Sequence, residues 1–545
     1  MRSPAPRALL ATASVAVALA AADTYVVVLA LTDMMSGVGI GIDALQRATP
    51  IISGFLLGYI AVLPLIGRLA DLTERQRVLL GCLAVFVVGS AITALAVELP
   101  VLVAGRVIQG IGGGGLVPAT LAIVAQLWDR DRRGTPLGVV GAVQELGSVI
   151  GPVLGAAVLA VADWRAIFWL NAVLGVLLAG AVVAVGGGMP SRPRTLPVVV
   201  SLVAGIVAWL ALAAPDSLVT SVSLGVPFVP FGSASSRLAT PIGVVSLVLV
   251  VAAVALWVRG GWDVLRRADL LGALLLGGAL GCIVLTFAAA NPEKEIVGPL
   301  GFALLPVAAV LAGLYLLHHR RSGSPLVPRG VVVGRARWAL VVSLCVGIAL
   351  VAVIVDVPLL ARLVHTESET VAAFVLVRFL IAVPVGALVG GWSLRWLGDG
   401  LVSGIGLALA AFGLVIMSTW GRGSLAEWTS TVVLALVGLG IGLALAPVNS
   451  AALADSPEDT HGTASALVVV ARMIGMVVGL ALLTAIGLHQ YYAAVAALPD
   501  QTDGQALLDA AVVQVEWVFR GAAIAAGVGA LASISLGLTR RVHRV

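Results

Sequence analysis

Charged residues are scarce in this sequence. Asp, Glu, Lys and Arg make up 11% of the 545 residues, whereas hydrophobic residues make up 60%. A soluble globular domain carries about 25% charged residues, and the mean hydropathy of this chain is +1.12. These values exclude an ordinary soluble protein and predict an all-α protein that crosses a membrane many times.

Cysteine and lysine are also rare. The three cysteines, Cys82, Cys282 and Cys345, fall inside apolar segments, where free thiols usually serve core packing. Their spacing fits neither a disulfide framework nor a metal site. Lys294 is the only lysine, and the arginines lie at segment ends, so the pI near 9.5 does not indicate nucleic-acid binding. With no nucleotide-binding loop or nucleophile arrangement, we expect neither an enzyme nor a cofactor.

Sixteen apolar segments approach or exceed the roughly 20 residues that a membrane-spanning helix needs. The predicted helices are 8–31, 50–69, 78–97, 101–126, 134–160, 166–187, 197–214, 240–258, 268–289, 298–317, 336–360, 370–394, 399–419, 429–453, 459–497 and 507–538. The first resembles a secretory signal, but its apolar run continues to Leu31, so we expect an uncleaved helix.

The sixteen helices divide into three predicted domains. Residues 1–189 form a six-helix bundle, 190–334 a linker with four helices, and 335–545 a second six-helix bundle. Loops with arginines alternate with short or acidic loops, which places both termini in the cytoplasm of a multi-pass inner-membrane protein. The predicted inside segments are 68–77, 130–133, 192–194, 259–267, 320–337 and 540–544. The longest outside loop, 215–239, fits either a small hairpin or an irregular segment.

The last two segments are longer than a membrane requires. Residues 459–497 would form a helix of about 58 Å at 1.5 Å per residue, against a hydrocarbon core of about 30 Å. The outer part of this pair is amphipathic. We expect a helical hairpin that projects beyond the outer surface.

The segment 141–155 combines glycines with a carboxylate. Gly147, Gly151 and Gly155 are four apart, so they share one helix face and allow another helix to approach closely. Pro152 bends or loosens the helix, and Glu145 is costly at membrane depth unless it is paired, protonated or hydrated. These features suit a helix beside a buried site in a protein that changes shape.

A second motif lies between helices two and three. Gly67, Asp71, Arg75 and Arg77 combine a small residue, an acid and two bases across a tight turn. Asp71 is a candidate latch that caps a neighbouring helix or pairs with an arginine in only one conformation. Ordinary positive-inside charge explains the arginines, but it does not require the glycine or the acid.

Helix four carries a further group of polar residues at membrane depth. These are Arg106 and Gln109, followed by Gly110 and a glycine run. An arginine inside a span usually has a functional or structural partner.

Together these motifs resemble the major facilitator superfamily, in its drug:proton antiporter branch with extra central helices. The resemblance implies two six-helix bundles around a central cavity. Within this superfamily the chain shows a closer resemblance to the mycobacterial triacylglyceride exporters, which work with the periplasmic lipoprotein LprG and whose last two helices also extend into the periplasm. The segments that carry this similarity are 23–28, 144–148, 355–357, 461–462 and 468–473. The usual member has two central helices; here 268–317 resembles that pair and 197–258 looks like an insertion.

Charges inside the predicted spans carry the functional hypothesis. By this resemblance, Asp23, Glu145 and Arg472 form the proton-coupling and gating set, in which Asp23 or Glu145 pairs with Arg472 across the two bundles. A static salt bridge is the alternative. Asp356 and Arg378 are a possible second polar pair, or they only mark helix ends near the outer surface.

We therefore expect a secondary transporter that exports a lipid, triacylglycerol or a related acylated lipid, driven by the proton gradient. The implied partners are the lipid, the bilayer and a periplasmic lipid-binding lipoprotein. A multidrug:proton antiporter is the alternative within the same fold. A scaffold with a degenerate transporter fold is disfavoured because Asp71 and the intramembrane charges are present.

Overall fold

A computed structural model describes residues 6–40, 45–187, 195–221, 224–232, 236–288, 301–364, 369–500 and 503–538. The secondary structure of this described part is helical throughout, without strands. The predicted inside segments 192–194 and 540–544 lie outside it, as does Lys294.

Seventeen α-helices follow one another along the described chain, and α8 is a single turn. Their bounds are α1 Pro6–Gly37, α2 Leu45–Leu72, α3 Arg75–Leu95, α4 Leu99–Leu127, α5 Gly134–Leu159, α6 Arg165–Val185, α7 Thr195–Ala213, α8 Asp216–Val219, α9 Pro241–Arg267, α10 Leu270–Ala288, α11 Gly301–Arg321, α12 Gly334–Val364, α13 Glu369–Ser393, α14 Asp399–Met417, α15 Trp428–Ala454, α16 His461–Ala496 and α17 Gly504–Ser533. The sixteen long helices are all apolar enough to cross a membrane, which confirms the predicted number.

The helix end that differs most from the prediction is that of α9. Residues 259–267 were expected to form an inside loop because of their arginines, but they are the last turns of α9. No proline interrupts this stretch, so the helix continues until Ala268. Asp269 then adopts a left-handed backbone conformation, with φ at 60°, and the chain turns into α10.

The long helices form two six-helix bundles, α1–α6 and α12–α17, with four linker helices between them in sequence. Among the linker helices, α7 packs against α9, and α10 packs against both α11 and α2. The contact of α10 with α2 is close: a Cβ atom on Gly277 would lie 2.8 Å from the carbonyl oxygen of Ala61. The domain boundaries at residues 189 and 334 remain a prediction.

The glycine face of α5 packs against α1, as the four-residue spacing predicts. A Cβ atom on Gly147 would lie 2.4 Å from the carbonyl oxygen of Ala18, and one on Gly151 would lie 2.4 Å from that of Ala22. The backbones are therefore too close for any larger residue. Since the two helices run parallel, this packing also fixes their relative height.

The last two helices are long, as the sequence predicts. α16 has 36 residues and α17 has 30, which corresponds to about 54 Å and about 45 Å at 1.5 Å per residue. The Trp420 ring, just after the end of α14, contacts the Phe519 ring at 6.5 Å. Residues 504–518 therefore extend about 22 Å past the end of α14. Arg422 ties this outer part down through an ion pair of 2.6 Å with Asp509.

The loop 215–239 consists of short helical turns in its described residues, and they form no β-hairpin. After α8 come single 3-10 turns at Val226–Phe228 and Arg237–Ala239, and the amide of Phe231 donates to the carbonyl oxygen of Ala239. The backbone amide of Arg237 donates to the Glu98 carboxylate at 2.6 Å. This bond holds the end of the loop on the turn between α3 and α4.

The close packing of α1 and α5 predicts a strong effect of a larger side chain. We expect Gly147→Leu to lower the melting temperature or to prevent folding, because the new side chain meets backbone that cannot yield. Gly180→Leu, on α6 where a Cβ atom would meet nothing within 4 Å, is the matched control and should leave stability unchanged or higher. The measurement is thermal unfolding in detergent; equal melting temperatures for the two variants would contradict the close packing.

Candidate functional site

The two bundles are latched together on one side of the membrane, which we call the Asp71 side; the opposite side is the far side. The carboxylate of Asp71, at the end of α2, accepts hydrogen bonds from the amides of Gly462 and Thr463 at 2.6 and 2.9 Å. It also accepts one from the Thr463 hydroxyl at 2.6 Å. These amides begin α16 and have no partners within that helix. Asp71 therefore caps a helix of the other bundle, which is one of the two contacts that the latch hypothesis allows.

Gly67 allows this latch to form. A Cβ atom at Gly67 would lie 2.7 Å from the carbonyl oxygen of Gly462, so α2 and α16 touch through their backbones one turn before Asp71. The negative carboxylate also favours the positive end of the α16 dipole. Arg77 lies apart, in an exposed ion pair with Glu74 at 3.3 Å. Arg75 lines a cleft of about 770 Å3 beside the latch, which it shares with Glu458 and His461.

A second contact between the bundles lies on the same side, between α5 and α13. A Cβ atom on Gly138 would lie 2.6 Å from the carbonyl oxygen of Ala387, and one on Gly134 would lie 2.6 Å from that of Gly391. Gly134 and Gly138 are one turn apart at the start of α5. Two pairs of helices thus close the Asp71 side with backbone contacts.

Glu145 and Arg472 form the one buried ion pair between the two bundles in the described part of the chain. Arg472 Nη1 lies 3.5 Å from Glu145 Oε1, and both side chains are buried. Gln144 lies beside them, with its amide nitrogen 3.5 Å from the same oxygen. The pair joins α5 to α16 deeper in the membrane than the latch.

A small cavity lies between the bundles, between this ion pair and the latch. Its volume is about 20 Å3, enough for about one water molecule. Most of its lining is apolar, and the polar lining side chains are Gln144, Ser343, Asn449 and Arg472. The centre of the protein on the Asp71 side is therefore closed and nearly dry.

The bundles separate towards the far side. Glu145, Val149 and Val153 are four apart, so they lie on one stripe of α5. Glu145 is buried, Val149 packs against the hydrophobic core of the C-terminal bundle, and Val153 is 56% exposed. The contact of this stripe with the C-terminal bundle thus ends about two turns beyond the ion pair, whereas the Asp71 side is closed.

Asp23 does not pair with Arg472, which was one of the two partners suggested for that arginine. Its carboxylate pairs with Arg106 of α4 at 2.6 Å, inside the N-terminal bundle. It also accepts hydrogen bonds from the side-chain amides of Asn171 and Gln109, at 2.6 and 3.0 Å. A pair within one bundle satisfies both charges without the other bundle.

The partners of Arg106 complete this network. Its guanidinium donates to the side-chain oxygen of Gln109 at 2.6 Å and to the carbonyl oxygen of Ile51, and it lies 4.4 Å from the ring centre of Phe55. Gln109 donates to the hydroxyl of Ser90. Gly110, next to Gln109, brings α4 against α2, because a Cβ atom there would lie 2.1 Å from the carbonyl oxygen of Phe55.

The two carboxylates lie at different depths on neighbouring helices. Gly147 is level with Ala18 and Gly151 with Ala22, so Glu145 is level with residue 16, seven residues before Asp23. At 1.5 Å per residue, Asp23 lies about 10 Å nearer to the far side. Asp23 is thus nearer to the far side, and Glu145 is nearer to the closed Asp71 side.

Asp356 and Arg378 do not form the pair that the sequence suggested. Arg378 donates to the hydroxyls of Thr431 and Ser430 of α15, at 3.1 and 3.5 Å. Asp356 is buried in α12, and its Oδ2 atom has no hydrogen-bond partner within the described residues. Arg378 of α13 is bound by the hydroxyls of α15. Asp356 lies on another helix, α12, and its Oδ2 atom has no partner among the described residues.

Sequence reasoning did not assign Asn171 and Ser90 to the site. Asn171 lies in an otherwise apolar stretch of α6, and a lone amide at membrane depth is a signal for a buried polar partner. Ser90 carries no such signal, since its hydroxyl also bonds the Phe86 carbonyl of its own helix.

Comparisons with known proteins place the chain among related transporter sequences. Residues 13–480 match the family model described as Major Facilitator Superfamily. The chain is 37% identical to a triacylglyceride transporter of Mycolicibacterium smegmatis over 90% of this chain and 78% of the relative. It is 36% identical to a triacylglyceride transporter of Mycobacterium tuberculosis over 89% of this chain and 83% of the relative.

Solved structures with the same fold share little sequence with this chain. The human organic anion transporter MFSD10 has a TM-score of 0.56 at 15% identity, covering 98% of this chain and 100% of that one. The proton:xylose symporter XylE has a TM-score of 0.55 at 13% identity, covering 96% of this chain and 94% of that one. At this identity the likeness establishes the fold alone.

The Asp23 network predicts a non-additive pair of substitutions. We expect Arg106→Gln to destabilise the protein by about 3–5 kcal/mol, because it leaves a buried carboxylate without its counter-charge. Adding Asp23→Asn should recover much of this loss, since no charge is then left unpaired. Arg378→Gln, which removes an arginine whose bonds to described residues are to hydroxyls, should cost less. Thermal unfolding of the purified variants is the measurement, and a double variant no more stable than Arg106→Gln would refute the pairing.

Proposed function

The chain belongs to the major facilitator superfamily, and we propose that it is a proton-coupled secondary transporter that exports an acylated lipid by alternating access. The cargo is triacylglycerol or a related lipid, moved from the inner membrane towards the periplasm. The observation that carries the proposal is the ion pair of Glu145 with Arg472, 3.5 Å apart and buried where the two bundles meet. No other buried charge pair in the described residues would have to break when these bundles separate.

Three features support a lipid as the cargo. Relatives that share 36–38% of the sequence are named triacylglyceride transporters. The surfaces that the two bundles present to each other around the small closed cavity are mostly apolar, which would suit acyl chains better than charged solutes once the bundles part. The exposed stripe of α5 that continues from Val153 is apolar as well.

Protonation of Glu145 is the step that couples the gradient to movement. With the carboxylate ionised, its attraction to Arg472 in a medium of low polarity holds α5 against α16. A proton on Glu145 removes that attraction, so the bundles separate more easily on the Asp71 side. Asp23, about 10 Å nearer the far side, is the first of the two carboxylates that a proton from that side reaches; while it is ionised, Asp23 compensates the charge of Arg106 within the bundle.

The Asp71 latch is the second element of the cycle. Its three hydrogen bonds to the start of α16 exist only while the Asp71 side is closed. The bundles 1–189 and 335–545 rock as units, with the region 190–334 beside them. Positive-inside placement of the arginines makes the Asp71 side cytoplasmic, with both termini on that side, so the present state faces the periplasm.

The outer parts of α16 and α17 guide the lipid away from the bilayer. Residues 504–518 extend past the end of α14, and Arg422 anchors them through Asp509. A hairpin of this length reaches beyond the lipid headgroups. It offers a periplasmic lipid-binding lipoprotein a place to receive the cargo.

The role of Glu145 predicts the outcome of a transport assay. The purified protein is reconstituted in liposomes with a labelled triacylglycerol, and a pH gradient is imposed across the liposome membrane. We expect lipid movement to follow the gradient in the parent protein and to fall in Glu145→Gln to the rate seen without a gradient, because the glutamine cannot take up a proton. Asp23→Asn should show the same loss.

The control for this assay is Glu516→Gln. Glu516 forms a pair with Arg520 on the surface of α17, so its loss should not change gradient dependence. A normal gradient response in Glu145→Gln would contradict the coupling role. Movement of a cationic dye without movement of lipid would instead make the protein a multidrug:proton antiporter.

The length of the final hairpin generates a separate prediction. Removing two turns from each arm, within 483–497 and 503–517, should impair lipid delivery to an acceptor more than dye efflux, because a dye leaves into water unaided. Both activities are measured in the same liposomes. An equal loss of both would mean that the shortened hairpin damages the fold rather than the delivery.

A further inference from the structure

The segment between α11 and α12, residues 322–333, lies across the seam between the two bundles on the Asp71 side. We call it the strap. Leu326, Val327 and Val331 of the strap are buried in one hydrophobic cluster. That cluster includes residues from both bundles, namely Ala125 of α4, Leu453 of α15 and Ala464 of α16. The strap is therefore packed against both halves of the closed gate at once.

Asp269 holds the strap in this position. Its Oδ2 atom accepts a hydrogen bond from the Leu326 amide at 2.9 Å. Its Oδ1 atom accepts one from the Gly272 amide at 3.0 Å and lies 2.6 Å from His318 Nε2. Asp269 is buried, and its φ of 60° is uncommon for a residue with a side chain. Strain of this kind persists where the surrounding contacts fix the geometry.

Further hydrogen bonds tie the strap mainly to the linker helices, and one weaker bond, from Arg68 Nη2 of α2 to the Ser324 hydroxyl at 3.5 Å, reaches the N-terminal bundle. The Ser324 hydroxyl donates to the carbonyl oxygen of Arg267 at 3.0 Å. The guanidinium of Arg329 donates to the carbonyl oxygen of Arg320 at 2.9 Å, at the end of α11. The strap is therefore anchored on α9–α11, while its apolar side chains fill the seam.

We propose that Asp269 is a positioning residue for the gate, which keeps the strap in the seam and so stabilises the state that is closed on the Asp71 side. When the bundles separate there, Ala125 moves away from Leu453 and Ala464, and the strap loses one of its two packing surfaces. The cost of exposing Leu326 and Val331 then opposes opening. The linker helices α10 and α11 thereby set the gate equilibrium. This inference rests on the proposed rocking of the bundles, and it does not depend on the cargo.

A purely structural role for Asp269, as a cap for the start of α10, makes a different prediction. Loss of the cap would lower stability but leave the gate equilibrium unchanged. The test therefore needs a readout of the gate itself. Val448 is buried and lines the small cavity inside the closed seam, so a cysteine there reacts with a water-soluble thiol reagent only when the seam opens.

The experiment measures the labelling rate of Val448→Cys in the full-length protein, with Cys82, Cys282 and Cys345 replaced by alanine. The reagent is a charged maleimide, without lipid cargo or pH gradient. We expect Asp269→Ala to raise the labelling rate about tenfold, a typical size for coupling between two sites. The matched control is Asp263→Ala, an exposed acid of α9, which should leave the rate unchanged.

An unchanged labelling rate in folded Asp269→Ala would overturn the proposal. Should that variant not fold, Leu326→Ala takes its place, with Val332→Ala, an exposed strap residue, as its control; equal rates for these two would overturn the proposal as well.

Glu145→Gln in the same background separates this inference from the proposed function. If labelling is faster in Glu145→Gln but not in Asp269→Ala, the role of the strap is refuted and the gating role of the Glu145–Arg472 pair stands. If labelling is faster in Asp269→Ala but not in Glu145→Gln, the role of the strap stands and the gating role of the Glu145–Arg472 pair is refuted.

Discussion

A charge inside a membrane span has to be paired or hydrated, or else the group is neutralised by a proton, and this constraint governs the titratable groups of the two bundles. Asp23 meets it inside the N-terminal bundle through Arg106, so its pairing survives any movement of the other bundle. Glu145 meets it only through Arg472 of the C-terminal bundle, so its pairing depends on the position of both bundles. The first arrangement keeps the charge of Asp23 compensated in either position of the bundles, and the second makes the relative position of the bundles sensitive to a proton.

Backbone contact between helices supports this arrangement. Apolar side chains gain little from helix association within lipid, so close packing of small residues has to supply the adhesion. Gly147 and Gly151 hold α5 on α1 within a bundle, whereas Gly67 and Gly138 hold the two bundles together on the Asp71 side. The first seam is permanent in the proposed cycle. The second has to open, which explains why a carboxylate, Asp71, reinforces it with hydrogen bonds that can be released.

Much of the architecture could be predicted from the sequence because length and hydropathy are strong local signals. They gave all sixteen spans and the long final helices. The end of α9 was not predicted, because the arginines at 259–267 are typical of an inside loop. No proline in this stretch ends the helix. The partner of Asp23 was missed for another reason: sequence shows that a carboxylate at membrane depth needs a cation, but Arg106 and Arg472 both qualify, and only the fold decides. The sequence of the strap carries no local signal of its role, because that role depends on which parts of the fold the strap contacts.

The central claim is that the two bundles rock in response to protonation, closing one side as the other opens. The most direct measurement is a pair of distances by pulsed electron paramagnetic resonance in proteoliposomes. One spin-label pair lies on the far side, at Ala162 and Ala426, and one lies on the Asp71 side, at Arg132 and Leu397; all four residues are exposed. Lowering the pH should shorten the far-side distance and lengthen the other. Distances that stay fixed, or that change in the same direction, would contradict the account.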